Sequence, residues 1–248
     1  MKFRSGMTAI LTGALALALM VGVAAAATIT GDDGDNVLTG TPQADQIDAL
    51  AGNDTVSAKA GPDKVLAGAG NDIVDAGNGR DRVRGEMGDD TIGGGKGADR
   101  IGGGDGNDII AGGEDPDYIL GQSGNDALAG EMGRDLLRGR EGDDREAGGA
   151  GADVTYAGPG VDIAFGGPGD DTMFARAQVD VATPGADTLF SGAGDDVVLV
   201  RDGEADVVGC GSGRDLVIAD AQDVTRASCE HVRIGVPKPS DDDGEVGS

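Results

Sequence analysis

A nine-residue period runs through most of this chain and leaves few folds open to it. Gly103 to Ala111 reads GGDGNDIIA, the nine residues before it GGKGADRIG and the nine after it GGEDPDYIL. The pattern is two small residues, a free position, Gly, a free position, Asp, a free position, an aliphatic residue and a free position. A fixed period of this kind points to a solenoid, in which each unit is too small to bury its apolar side chain alone and stacked units share one core. Framed from Gly31, the pattern continues without a break to Phe174, which is 144 residues or sixteen nonads.

The sixth position is Asn36 in the first nonad and Asp in the other fifteen: Asp45, Asp54, Asp63, Asp72, Asp81, Asp90, Asp99, Asp108, Asp117, Asp126, Asp135, Asp144, Asp153, Asp162 and Asp171. The fourth position is Gly except at Gln43 and Asp115. The eighth is aliphatic for twelve nonads, from Leu38 and Ile47 to Leu128 and Leu137, and then weakens to Glu146, Thr155, Ala164 and Met173. Positions one to six, rich in Gly, Asp and Asn, suit a tight turn with left-handed residues. Positions seven to nine bracket one aliphatic residue, enough for a very short strand with one side chain facing inward. Stacking sets each such side chain on its copies at the strand spacing of about 4.8 Å and builds a narrow aliphatic core. After an interruption at Ala175 to Val181 the pattern resumes at ATPGADTLF, with sixth positions Asp187, Asp196, Asp206 and Asp215 and eighth positions Leu189, Val198, Val208 and Val217.

Composition agrees with a thin core. Glycine is 48 of 248 residues, Trp is absent and aromatics are 2%. The first residues read as an export signal: Lys2 and Arg4, an apolar run from Met7 to Val23, and small residues at Ala24 to Ala27. Without residues 1–27, the 19 basic residues less those two face 45 acids, a net charge of −28. Such a chain repels nucleic acid and anionic membrane and attracts cations. In an exported protein the pair Cys210 and Cys229 reads first as a disulfide.

GGDGNDIIA, AGAGNDIVD and GQSGNDALA resemble the calcium-binding nonapeptide of the RTX, or haemolysin-type, family. The resemblance covers residues 31–174 and returns after 182. It implies an all-β fold, a parallel β-roll (a right-handed β-solenoid) with two nonads per turn and calcium in the turns. It also implies that the sixth-position carboxylates, Asp45 through Asp171 together with Asp187, Asp196, Asp206 and Asp215, are the side-chain metal ligands, with backbone carbonyls completing the shell. Hard oxygen donors of this kind suit Ca²⁺ better than Mg²⁺, which demands tight octahedral geometry. One ion per stacked turn gives on the order of ten Ca²⁺ and offsets roughly 20 of the 28 negative charges, so binding and folding are expected to be one event. The neutral Asn36, and the nonads carrying Gln43, Asp115 or Glu146, are expected to be distorted or empty sites.

Five segments follow: an export signal over 1–27, a continuous nonapeptide β-roll over 28–174, a frame-shifted roll over 175–218, a C-terminal cap over 219–235 and a disordered acidic tail over 236–248. The cap would use Val224, Val232, Ile234 and the Cys210–Cys229 tie. Catalytic motifs are missing: there is no HExxH, no GxSxG, and the single histidine, His231, stands alone in the expected cap. Only Thr28, Ile29 and Thr30 separate the signal from the first nonad, which leaves no room there for a catalytic domain. Outward seventh positions place Lys64, Arg82 and Arg100 on one face, which reads as charge balance or as a docking stripe for an anionic glycan. The irregular seventh positions argue against ice binding. The expected function is therefore a secreted, non-enzymatic module that folds on extracellular calcium, with a glycan or cell surface as candidate partner. The alternative is a secreted hydrolase of protease, lipase or glycosidase type whose active site the motifs do not reveal.

Overall fold

The computed structural model describes residues 25–175 and 185–235. Most of the expected export signal, most of the interruption after Phe174 and the acidic tail lie outside them. Regular structure in the described residues is entirely β-strand, and every strand pairing is parallel. Successive strands alternate between two sheets, one of 12 strands and one of 11. Ile109 pairs with Thr91 on one side and Ala127 on the other, an offset of 18 residues in each direction. Two nonads therefore make one turn of a β-solenoid, as the resemblance implied.

The strands are longer than the pattern predicts. In the centre they hold six residues, as in Ile109–Glu114, and run from position seven through position three of the next nonad. Backbone pairing persists across the glycines, with Gly113 set against Gly95 and Glu131. The turn is thus compressed into positions four to six. Position two is held in the left-handed region, at φ +131° in Gly104, and this bend lets a strand cross the end of the sandwich without leaving its ladder.

Two side-chain rows, not one, fill the space between the sheets. The eighth-position row from Ile47 to Leu137 is fully buried, and each such side chain contributes about 1.5–3 kcal/mol. The second row is position one: Ala49, Ala58, Ala67 and Ala76 are 0% exposed. The sequence reading assigned that position to the turn. Its restriction to Gly, Ala, Ser or Cys in the described nonads up to Cys210, Arg201 excepted, was the missed signal, because the gap there takes no larger side chain.

The stack continues across the interruption. Thr188 pairs with Ile163 and Val197 with Thr172, each an offset of 25, so both sheets pass from one segment into the next. Further on the offset becomes 19, and it closes to 17 at Val224 and 15 at His231. Cys210 and Cys229 form a disulfide with Cα atoms 4.9 Å apart, tying the last nonad to the segment before the final strand.

Candidate metal centre

The sixth-position Asp of each nonad ends the turn just before the strand begins. All the sequence-expected ligands from Asp45 to Asp215 are buried, at 4% exposure or less. The two-nonad turn sorts them into two ladders, one along each edge of the sandwich. Within a ladder each Oδ1 accepts the backbone N–H of the Asp one turn earlier. Asp108 donates to Asp126 at 2.8 Å and Asp126 to Asp144 at 2.8 Å. The ladders persist past the interruption, where Asp162 donates to Asp187 and Asp171 to Asp196, both at 2.9 Å.

The other carboxylate oxygen is the informative one. From Asp54 through Asp153, Oδ2 is buried with no hydrogen-bond partner. Buried polar atoms are nearly always satisfied, so a whole row of orphans signals a missing electrophile. The glycines at position one border these oxygens. A Cβ built on Gly94 would lie 2.5 Å from the carbonyl oxygen of Gly112 and 2.7 Å from Asp99 Oδ2. On Gly148 the corresponding distances are 2.8 Å to Gly166 O and 2.7 Å to Asp153 Oδ2. Each such point is one bond length from the glycine Cα and is no place for an ion, but the distances show a carboxylate and a carbonyl oxygen converging beside the glycine, hard donors of the kind Ca²⁺ takes. Position one is Gly in eight consecutive nonads from Gly85 to Gly148, and Ala methyls occupy the corresponding place at Ala49, Ala58, Ala67, Ala76 and Ala157.

Electrostatics point the same way. Burial, reinforced by neighbouring carboxylates, lifts Asp90, Asp117, Asp126 and Asp171 to about 7, and Asp144 and Asp206 to about 8. One backbone N–H per carboxylate only partly opposes this. Without a cation the fold must hold these groups as acids or bear their repulsion.

Several features escaped the sequence reading. The fifth position forms a second ladder, on one edge as far as Val161 and on the other from Asp170 onward. Asn71 donates its N–H to Asn53 Oδ1 at 2.8 Å, Asn107 to Asp89 Oδ1 at 2.7 Å and Asn125 to Asn107 Oδ1 at 2.9 Å. On the opposite edge the fifth positions are Ala, Pro or Arg as far as Ala152, as in Ala98, Pro116 and Arg134, and offer no such acceptor, but beyond them the N–H of Asp195 donates to Asp170 Oδ1 and that of Arg214 to Asp195 Oδ1, both at 2.9 Å. Near the start, Asn36 closes its own turn. Its Nδ2 donates to Gly34 O at 2.7 Å and to Asp32 Oδ1 at 3.1 Å, so an amide N–H stands where other nonads leave oxygens free. Thr41 similarly donates to both oxygens of Asp45. Further along, Asp202 and Glu204 take positions two and four of their nonad, and their carboxylate oxygens lie within 4.8 Å of that of Asp206. Reading only the sixth position passes over these two acids.

Stacked nonads with paired carboxylate and carbonyl oxygens along both edges define a cation-binding β-solenoid. The model of the RTX calcium-binding nonapeptide repeat matches residues 30–65, 66–101, 102–137, 120–155, 138–173, 147–182 and 181–204, and the chain belongs to that family. Repeats of this family bind calcium, and the orphaned Asp oxygens fit that ion. The family's β-rolls are generally non-catalytic. No curated protein matches the chain significantly.

Proposed function

We propose that this protein is a secreted binding module whose sixth-position carboxylates, from Asp45 to Asp215, hold calcium, and whose calcium-assembled roll presents a basic face to an anionic glycan. The apolar, cation-flanked segment over 1–27 supports export, where calcium is abundant. One observation carries the glycan reading. On a chain of net charge −26, exposed Arg82, Arg84 and Arg100 gather on the outer face of the 12-stranded sheet around a groove of about 640 Å³. Register places Lys64, Arg82 and Arg100 directly above one another. Gly102, between Arg84 and Leu120, leaves the groove floor open, and Tyr118 borders it. Further along the same face Arg138 lies over the Tyr156 ring at 4.8 Å, and that ring stacks on Phe174 at 4.5 Å. Guanidinium groups that pair bidentately with carboxylate or sulfate, set beside aromatic faces, suit an acidic polysaccharide.

The test is affinity electrophoresis of the calcium-loaded protein in gels containing a polyuronate or a sulfated glycan. Retardation is expected, weakening at least about tenfold in the R82S/R84S/R100S variant, because each charge-assisted contact contributes about 1.5–3 kcal/mol before screening. Equal retardation of variant and parent would overturn the glycan reading and leave calcium binding untouched.

A further inference from the structure

Glu146 stands at an eighth position, between Leu128 and Ala164 in the 11-stranded sheet. It is 1% exposed, and neither of its carboxylate oxygens has a well-formed hydrogen bond, the Gly139 N–H being the one polar group that opposes the effect of burial on it. The aliphatic core divides at this point. One cluster ends at Leu137 and the next begins at Ala164, with Glu146 and the buried Thr155 between them. A carboxylate placed in a hydrocarbon row without a partner is costly, so its surroundings should explain it.

The eighth-position side chain borders the point where a Cβ on the position-one glycine of its own nonad would lie. At Gly94 the third atom near that point is Ile101 Cδ1, at 3.0 Å. At Gly139 it is an oxygen: Glu146 Oε1 lies 2.7 Å from the point, beside the Ala157 carbonyl oxygen at 2.6 Å and Asp144 Oδ2. Three oxygens, two of them from carboxylates, thus converge beside Gly139, close enough together for one ion set off from the glycine Cα to bridge them, while beside Gly94 there are two oxygens and a methyl. We propose that Glu146 is an additional ligand of the cation at Asp144, which makes this the tightest calcium site of the solenoid. Calcium affinity rises with the number of charged ligands, and a carboxylate fixed by packing loses little freedom on binding. The site would fill first and join the two aliphatic clusters through the ion. The proposal rests on calcium binding by the repeats and is independent of the glycan reading.

Native mass spectrometry of the full chain in chelator-buffered calcium tests it by counting retained ions. The parent should keep one ion at a free calcium level about tenfold below that at which the others leave. Glu146→Leu and the near-isosteric Glu146→Gln should lose that last ion together with the rest. Asp144→Asn should lose it as well, whereas Asp108→Asn, in another nonad, should keep it. Circular dichroism in saturating calcium checks folding, and Glu146→Gln serves if Glu146→Leu does not fold. Retention of the last ion by a folded Glu146→Leu or Glu146→Gln variant would overturn the proposal. A buried neutral acid predicts that result, with Glu146→Leu more stable than the parent.

Discussion

In excess chelator at about pH 7.5 the chain is expected to lose its strand signal, and calcium is expected to restore it. The two carboxylate ladders set the scale. Neighbouring Asp groups stand one strand spacing apart, about 4.8 Å, and two unit charges at that distance repel by about 3 kcal/mol at an effective dielectric of about 20. That matches or exceeds the roughly 1.5–3 kcal/mol from each aliphatic side chain of the core. The core alone therefore cannot hold the ladders ionised. Protonation is the other way to relieve them, and it gives the prediction a second arm. Burial raises Asp63, Asp81, Asp99 and Asp135 to about 6, and Asp90, Asp117 and Asp126 to about 7. An unfolded chain would release those protons near the ordinary value of about 3.9. The calcium-free fold thus binds more protons than the unfolded chain. Its stability is fully present below about pH 4 and is lost as pH rises through about 6 to 7. Chelated protein brought to about pH 5 should regain part of its strand content. Calcium affinity should move the other way and fall on acidification, since ions and protons compete for the same oxygens. A far-UV spectrum indifferent to calcium at neutral pH would contradict both arms.

Much of this was visible in the sequence because the repeat multiplies weak signals. One Asp two residues before one Ile means little, but the same relation over twelve consecutive nonads points to a shared core and a shared edge. Periodicity placed the eighth-position row inside, and the two nonads per turn implied by the family resemblance set Lys64, Arg82 and Arg100 on one outer face, where the register puts them. Other features depend on the third dimension. Position one reads as a turn glycine until the Asp oxygen and the next turn's carbonyl are seen to share its missing methyl. The Asn53–Asn71–Asp89 ladder is hidden because its partners are 18 residues apart. Glu146 reads as a failure of the aliphatic row, since no spacing rule places its carboxylate beside Asp144 Oδ2 and Ala157 O.

Two glycines four residues apart should respond oppositely to the same change. Gly97, at position four, has φ +115°, and a Cβ there would overlap the carbonyl oxygen of Gly79 in the adjoining turn. Gly97→Ala adds left-handed strain of about 1–3 kcal/mol and overpacking of similar size, about 4 kcal/mol together. In saturating calcium the Tm should fall by on the order of 10 °C. Gly93 lies at a ninth position on the strand Thr91–Lys96, outside the left-handed region, and a Cβ there would meet only Val74 O at 3.9 Å. Gly93→Ala should therefore raise stability by about 0.4–1 kcal/mol, because it restricts the unfolded chain without straining the fold. Asp115, stacked one turn beyond Gly97, shows the limit of tolerance at position four: its φ is +81° despite its side chain, and Asp is among the few residues that adopt this region readily. Thermal unfolding of both alanine variants separates two explanations of the glycine content. If glycine serves only to keep the turns loose, both substitutions should stiffen the chain and raise Tm alike. If position four is glycine because the neighbouring turn occupies the Cβ position, the two shifts must have opposite signs. The solenoid transmits the loss at Gly97 to its stacked neighbours, so the calcium sites on either side should weaken with it, while Gly93→Ala leaves them unchanged.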